Sequence, residues 1–193
     1  MNGIPCILFL LLQLQIDAQR NRIKAGFLGF PAASGFGLGS FGYERLGKKL
    51  TSSWQVLLNG SGGEIGNDTG PEKRIWGTVE KTFYKKTISE RITWSYSFFT
   101  EAGKREKDAG HAAFIPERTF NKRKTFEICP GASIGLQYRI GNRWRLEATA
   151  GPKIILANGD EYYYNNITKN IFSEKYSATA IGLRLNGLLS YQF

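Results

Sequence analysis

Residues 180–193 read AIGLRLNGLLSYQF, and their hydrophobic alternation runs to Phe193. Traced back two residues, the odd positions are Thr179, Ile181, Leu183, Leu185, Gly187, Leu189, Tyr191 and Phe193. The even positions are Ala178, Ala180, Gly182, Arg184, Asn186, Leu188, Ser190 and Gln192. A period of two is that of a β-strand with two unlike faces, one apolar and one small or polar. Whether the apolar face points into a core or out of it decides what kind of protein this is.

The same period recurs upstream. In RWRLEATAGPKIIL the even positions from Trp144 to Leu156 are apolar or small, against Arg143, Arg145, Glu147, Thr149 and Lys153. In TFEICPGASIGLQYRI, Phe126, Ile128, Ile134, Leu136 and Tyr138 oppose Glu127, Cys129, Ser133, Gln137 and Arg139. RITWSYSFFTE sets Trp94, Tyr96 and Phe98 against Thr93, Ser95 and Ser97. RIWGTVEKTFY sets Ile75, Val79 and Phe83 against Trp76, Thr78, Glu80 and Thr82, with Lys81 a misfit on the apolar face. LTSSWQVLLN, GFGLGSFGYERL and the faint RIKAGFLGF complete the set. Glycine in GFGLGSFG is read as relief of crowding in a curved strand, since no βαβ context supports a nucleotide loop. Pro130 and Pro152 cannot donate to a sheet ladder, which places them near a rim.

Short links at 47–49, 85–90 and 141–142 alternate with long ones at 60–73, 102–121 and 157–176. With all short links at one end, an even strand count lets the first and last strands pair antiparallel. The expectation is therefore all-β: eight antiparallel strands in an up-and-down barrel over residues 19–193. Three features turn the apolar face outward, toward lipid. The polar face is crowded with Gly131, Ser133, Gly135, Ala178, Ala180 and Gly182, as a narrow lumen requires. The apolar face carries aromatics toward strand ends (Tyr43, Phe83, Tyr138, Trp144, Tyr191, Phe193). Short turns lie at one end and long loops at the other. Together these are the marks of a transmembrane β-barrel.

The stretches GFGLGSFGYERLGKKLTSSW (35–54), GLQYRIGNRWRLEATAGP (135–152) and LRLNGLLSYQF (183–193) resemble the small outer-membrane β-barrel proteins of Gram-negative bacteria. The resemblance is closest to an uncharacterised, eight-stranded group, and it covers residues 34–193. It implies insertion by the barrel-assembly machinery, which reads a last strand ending in an aromatic; Leu189, Tyr191 and Phe193 match that signal.

The beginning of the chain, MNGIPCILFLLLQLQIDAQ, holds an apolar run from Ile4 to Ile16 that is short for a membrane span. A small residue precedes Gln19, so residues 1–18 read as a cleaved signal peptide, although the first residues lack Lys or Arg. Cys6 leaves with it, and Cys129 then stands alone, which rules out an internal disulfide and argues against a cysteine metal site. The whole chain is moderately polar, with a mean hydropathy of -0.30. The formal charge is +10. No nucleic-acid motif accompanies it, so the expected counter-charge is anionic lipid and lipopolysaccharide phosphate.

On the parity of the strands, the interior charges are Lys24, Arg91, Arg139, Arg143, Arg145, Lys153 and Arg184 against Glu44, Glu80, Glu101, Glu127 and Glu147. A lumen of about eight strands is just wide enough for side chains to fill. Charges there must pair, so the expected network (Glu44, Glu80, Arg91, Glu127, Arg139, Arg145, Glu147, Arg184) is a salt-bridged plug. The alternatives are a narrow channel for small solutes or hydrophobic molecules, and a soluble exported lipocalin-like binder. Catalysis is not expected. The single histidine, His111 in DAGHAAF, has only Ser97 or Glu101 as candidate partners at one rim. NGD (158–160) and GND (66–68) are turn chemistry with too few carboxylates for calcium. No cofactor or metal is expected, and the barrel is expected to be monomeric. Two loop features remain. Residues 102–124 carry a local excess of Lys and Arg suited to phosphates. NGDEYYYNNITKNIF displays Tyr162, Tyr163, Tyr164 and Phe172, either as a binding surface or as a rigid β-ribbon that prolongs the strands.

Overall fold

The computed structural model describes residues 20–29, 37–47, 49–63, 71–87, 91–108 and 118–193. The expected signal peptide, His111 and the GND turn lie outside the described residues. Eight strands follow one another: β1 (Asn21–Gly29), β2 (Gly37–Leu46), β3 (Ser52–Gly63), β4 (Glu72–Thr87), β5 (Ile92–Asp108), β6 (Arg118–Ile140), β7 (Trp144–Asn165) and β8 (Ile171–Gln192). Each pairs antiparallel with the next, and β1 pairs with β8 to close the barrel. The parity argument that retained the faint first strand holds: β1 is that strand.

Side chains alternate as the sequence dictates, and the apolar set points outward. On β8, Ile181, Leu183 and Leu185 are 86%, 65% and 52% exposed, whereas Arg184, Leu188 and Ser190 are buried. On β6, Phe126, Ile128, Ile134 and Leu136 face out while Glu127, Cys129, Ser133 and Gln137 are buried. The buried polar and charged side chains outnumber the buried apolar ones. A soluble core reverses this arrangement.

The outward apolar band has sharp limits. On β7 it runs from Trp144 to Leu156 and gives way to Asn158 and Asp160. On β5 it runs from Trp94 to Ala102 and gives way to Lys104 and Glu106. On β6, Phe126 is followed toward the long-loop end by Lys124 and Lys122. At the short-turn end lies an aromatic belt, in which Trp144 packs on Tyr191 with centroids 4.8 Å apart and Phe83 stacks on Tyr96 at 5.1 Å. Lys81 belongs to this belt: its ammonium sits 4.9 Å from the centroid of Trp54, its cross-strand neighbour. The apparent misfit is a cation held on aromatic faces.

Two expectations about connections change. Much of 102–121 and 157–176 is strand, not loop, and the tyrosine-rich segment is a β-ribbon. Tyr163 lies opposite Phe172 across β7 and β8, with their rings stacked at 5.6 Å. Asn165 closes that ribbon, its Oδ1 accepting from the amides of Ile167 and Thr168 at 2.9 Å each. The prolines also sit differently. Pro130 and Pro152 lie in mid-strand, facing outward, rather than near a rim. Between Ile128↔Leu156 and Ile134↔Ala150, the β6–β7 register holds one pair, Gly131↔Lys153. Both prolines fall in this single interval, so their missing N–H donors are confined to one interrupted stretch of ladder. The glycine reading is right at Gly42, where a Cβ would meet the Val56 carbonyl oxygen and Leu57, but Gly39 faces open space.

The wall is uneven. β1 and β2 span 9 and 10 residues, β6 to β8 22 or 23. β1 and β8 share register only from Arg22↔Gln192 to Ala25↔Leu189. Gly26 still lies against the Gly187 carbonyl. Above that point the free side of β8 has no register partner among the described residues.

Candidate functional site: two ion clusters in the barrel interior

The inward side chains gather into two clusters. The lower one, toward the short turns, is built by β1 to β4, β6 and β7. Lys24 Nζ donates to Gln55 Oε1 and to Glu147 Oε2, both at 2.6 Å, and lies 3.2 Å from Glu44 Oε2. Arg22 Nη1 donates to Glu44 Oε2 at 3.2 Å. The Tyr84 hydroxyl donates to the other Glu44 oxygen and itself accepts from Gln137 Nε2 at 3.3 Å. Ser53 Oγ is 3.1 Å from the same hydroxyl. Lys24 and Glu44 are 1% and 0% exposed, so the cluster is sealed from solvent within the barrel. Arg145 reaches its edge, donating to Gln192 Oε1 at 3.4 Å.

The upper cluster is built by β4 to β8. Glu101 is its hub: Lys153 Nζ donates to it at 2.7 Å, with Arg184 Nε 3.5 Å and Arg74 Nη2 3.7 Å away. Arg74 also meets Glu127 at 3.1 Å. Arg105 joins Glu127 and Glu72 at 3.3 and 2.7 Å. Arg184 Nη2 approaches Glu80 Oε2 to 2.8 Å, an ion pair without hydrogen-bond alignment. Two cations also lie over aromatic rings: Arg184 is 4.2 Å from the Phe99 centroid, and Arg74 4.5 Å from that of Trp76. The groups Arg74, Arg105, Lys153 and Arg184 face Glu72, Glu80, Glu101 and Glu127, a balanced set. Charges removed from water persist only when compensated in this way.

Of the expected network, Glu44, Glu80, Glu127, Glu147 and Arg184 are buried in these clusters, with Arg145 at the margin. Arg91 and Arg139 are exposed at the short-turn rim, where the Arg139 amide donates to the Arg91 carbonyl oxygen at 2.8 Å. Their inward parity fails there because the strands end and leave the ring that encloses the lumen. Arg143, also expected inside, is a turn residue whose Nη1 donates to the Tyr191 hydroxyl at 3.0 Å. Arg22, Arg74, Tyr84, Glu72 and Arg105 were not among the expected interior groups. Extending the parity of Lys24, Trp76 and Glu101 along their own strands finds all five.

Leu189 and Phe193 are exposed on the outer face at the short-turn end, with Tyr191 half-buried against Trp144. The Phe193 amide donates to the Asn21 carbonyl oxygen at 3.4 Å, tying the end of the chain to β1. Ser97 bonds Ser133 across β5 and β6 at 2.7 Å. Glu101 is engaged by the cations above. Cys129 is buried, with Arg74 Nη2 3.7 Å from its sulfur. Neither the family models nor the curated proteins searched include a match to this chain.

Proposed function

We propose that this chain is an exported protein that spans the outer membrane of a Gram-negative cell as an eight-stranded barrel. Its polar interior is filled, and its role is structural or one of surface contact rather than catalysis. The observation that carries the reading is the inversion of the molecule: leucine, isoleucine and aromatic side chains cover the outside while glutamate, lysine and arginine fill the inside. In water such an outer face would drive association, whereas in hydrocarbon it is the favourable one. The band on β7, Trp144 to Leu156, is 13 residues; at about 3.3 Å per residue and a tilt of about 45° it rises about 30 Å, the thickness of a bilayer core. Closure of the sheet, with β1 pairing β8 from Arg22↔Gln192 to Ala25↔Leu189, supplies backbone partners that hydrocarbon cannot. Lipopolysaccharide phosphate is the counter-charge for the basic segments, the assembly machinery reads Leu189, Tyr191 and Phe193, and residues 1–18 direct export.

Fractionation tests this. The protein should sediment with outer membranes and need detergent for release. After refolding it should migrate faster on unheated than on boiled gels, as closed barrels do. Recovery in the periplasm without detergent would defeat the reading in favour of a soluble binder. Conductance across a planar bilayer would favour the narrow channel.

A further inference from the structure

The three short links make one end of the barrel basic. Residues 45–51, 85–91 and 139–143 hold eight Lys or Arg against one carboxylate, Glu90. That excess of seven is most of the chain's formal charge of +10, and Glu90 can offset only one of the eight. Arg45, Lys49, Lys85, Arg91, Arg139 and Arg143 are exposed. Among the described residues, no exposed carboxylate side chain stands in or beside these links: Glu44 and Glu147 are buried in the lower cluster. The long-loop end differs. There Lys122 meets Glu106 at 3.1 Å and Asp108 at 3.4 Å, Lys124 meets Glu106 at 3.6 Å, and Lys175 meets Asp160 at 2.8 Å. That end matches its cations with carboxylates of its own, whereas the short-turn end needs an anion from outside the chain.

The position of these cations says which anion. Their links are too short to carry them away from the strand ends: the Gly47 amide donates to the Ser52 carbonyl oxygen at 2.7 Å, and the Arg139 amide to that of Arg91 at 2.8 Å. Two of the side chains lie against the aromatic belt. Lys85 Nζ is 5.6 Å from the Tyr96 centroid, and Arg143 donates to the Tyr191 hydroxyl at 3.0 Å. On the membrane reading, on which this inference rests, the belt lies in the interfacial layer of the periplasmic leaflet, the side that short turns mark. Cations beside it stand at the level of lipid phosphates, and each strengthens attraction to an anionic surface about fivefold. We infer that the short-turn rim is a binding surface for anionic glycerophospholipid, whose head-group phosphates meet Arg45, Lys49, Lys85, Arg91, Arg139 and Arg143.

The tryptophans supply the test. Trp54, Trp94 and Trp144 are exposed at the short-turn ends of β3, β5 and β7. The protein is refolded into phosphatidylcholine vesicles that contain a probe lipid. One probe is a phospholipid whose phosphate is esterified to a nitroxide alcohol and is anionic. The other carries its nitroxide on choline and is zwitterionic. The anionic probe should quench these tryptophans with about tenfold stronger apparent association. Neutralising four rim cations, in K49Q/K85Q/R91Q/R139Q, should remove that preference. Neutralising four exposed lysines toward the long loops, in K104Q/K124Q/K169Q/K175Q, should leave it. Raising the salt concentration should erode it in the unaltered protein, whether or not either variant refolds. Equal quenching by both probes, a preference indifferent to salt, or its loss in the long-loop variant overturns the inference. Capture of soluble polyglutamate by the detergent-refolded protein, with equal quenching by both lipids, gives the rim to an acidic polymer and overturns it as well. Chain-brominated phosphatidylcholine checks the underlying reading separately. If it quenches the three tryptophans, the membrane reading survives loss of the rim site; if it does not, both fall.

Discussion

The two ion clusters are made of the same residue types yet sit in different surroundings. The lower cluster lies where the strands of the ring all contribute wall, so Lys24 and Glu44 are fully enclosed. The upper one is built by β4 to β8 alone among the described residues. There Arg74 is 16% and Arg105 37% exposed, beside a cavity of about 180 Å³. A charge that must be paired holds the barrel shut. A charge that borders a cavity can instead be hydrated. The contrast teaches that enclosure, more than residue type, separates the two clusters in so narrow a barrel.

Glu44→Ala should have the largest effect, because it strands Arg22 and Lys24 without their shared carboxylate. Removing one partner of a buried ion pair costs about 3–5 kcal/mol. Urea unfolding in detergent micelles, together with loss of the fast-migrating gel form, measures it. Glu101→Gln should cost less, about 1–3 kcal/mol, since the amide still accepts from Lys153 and the adjoining cavity can hydrate the freed cations. A loss at Glu101 equal to that at Glu44 would break the comparison.

A smaller effect is expected at the tip of the tall wall. Lys169 adopts a left-handed conformation, with φ of 55°. Lys169→Gly relieves that strain, and the gain should be about 0.5 kcal/mol. It should appear as slower hydrogen exchange in the β7–β8 ribbon with no change at the lower cluster. The smallest effect concerns Glu106, above the apolar band. The Lys122 ammonium that hydrogen-bonds it lowers its carboxyl below the usual value. The stability it contributes is therefore present above the unfolded pKa of about 4.3 and lost as pH falls through the lower folded value. Proteolysis of the β5–β6 ribbon should quicken only below about pH 4.3. Raising the salt concentration above that pH should mimic part of the change, because the pair is exposed.

Much of this was legible because β-strand geometry is strictly local. Ile181, Leu183 and Leu185 face one way and Arg184 the other whatever else the chain does, so eight alternating runs and the parity of their links suffice for a ring. The same rule places Glu44, Glu80, Glu127, Glu147 and Arg184 inside, and it would have placed Arg22, Arg74 and Tyr84 there too. It fails at Arg91, Arg139 and Arg143, where strands give way to turns and parity has no meaning. Parity put Pro130 and Pro152 on the right face, but the missing-donor argument misplaced them along the strand. A missing donor looks like a rim feature until two of them are seen sharing one gap in a single ladder.

The sequence by itself determined the period, the strand count and which residues share a face, because successive Cβ atoms must alternate across a strand. Only the tertiary structure decided which cations meet which carboxylates, and which charged groups are enclosed and which border a cavity. Those depend on register between strands distant in the chain, and register is set by the closing of the ring, which no single run of residues contains.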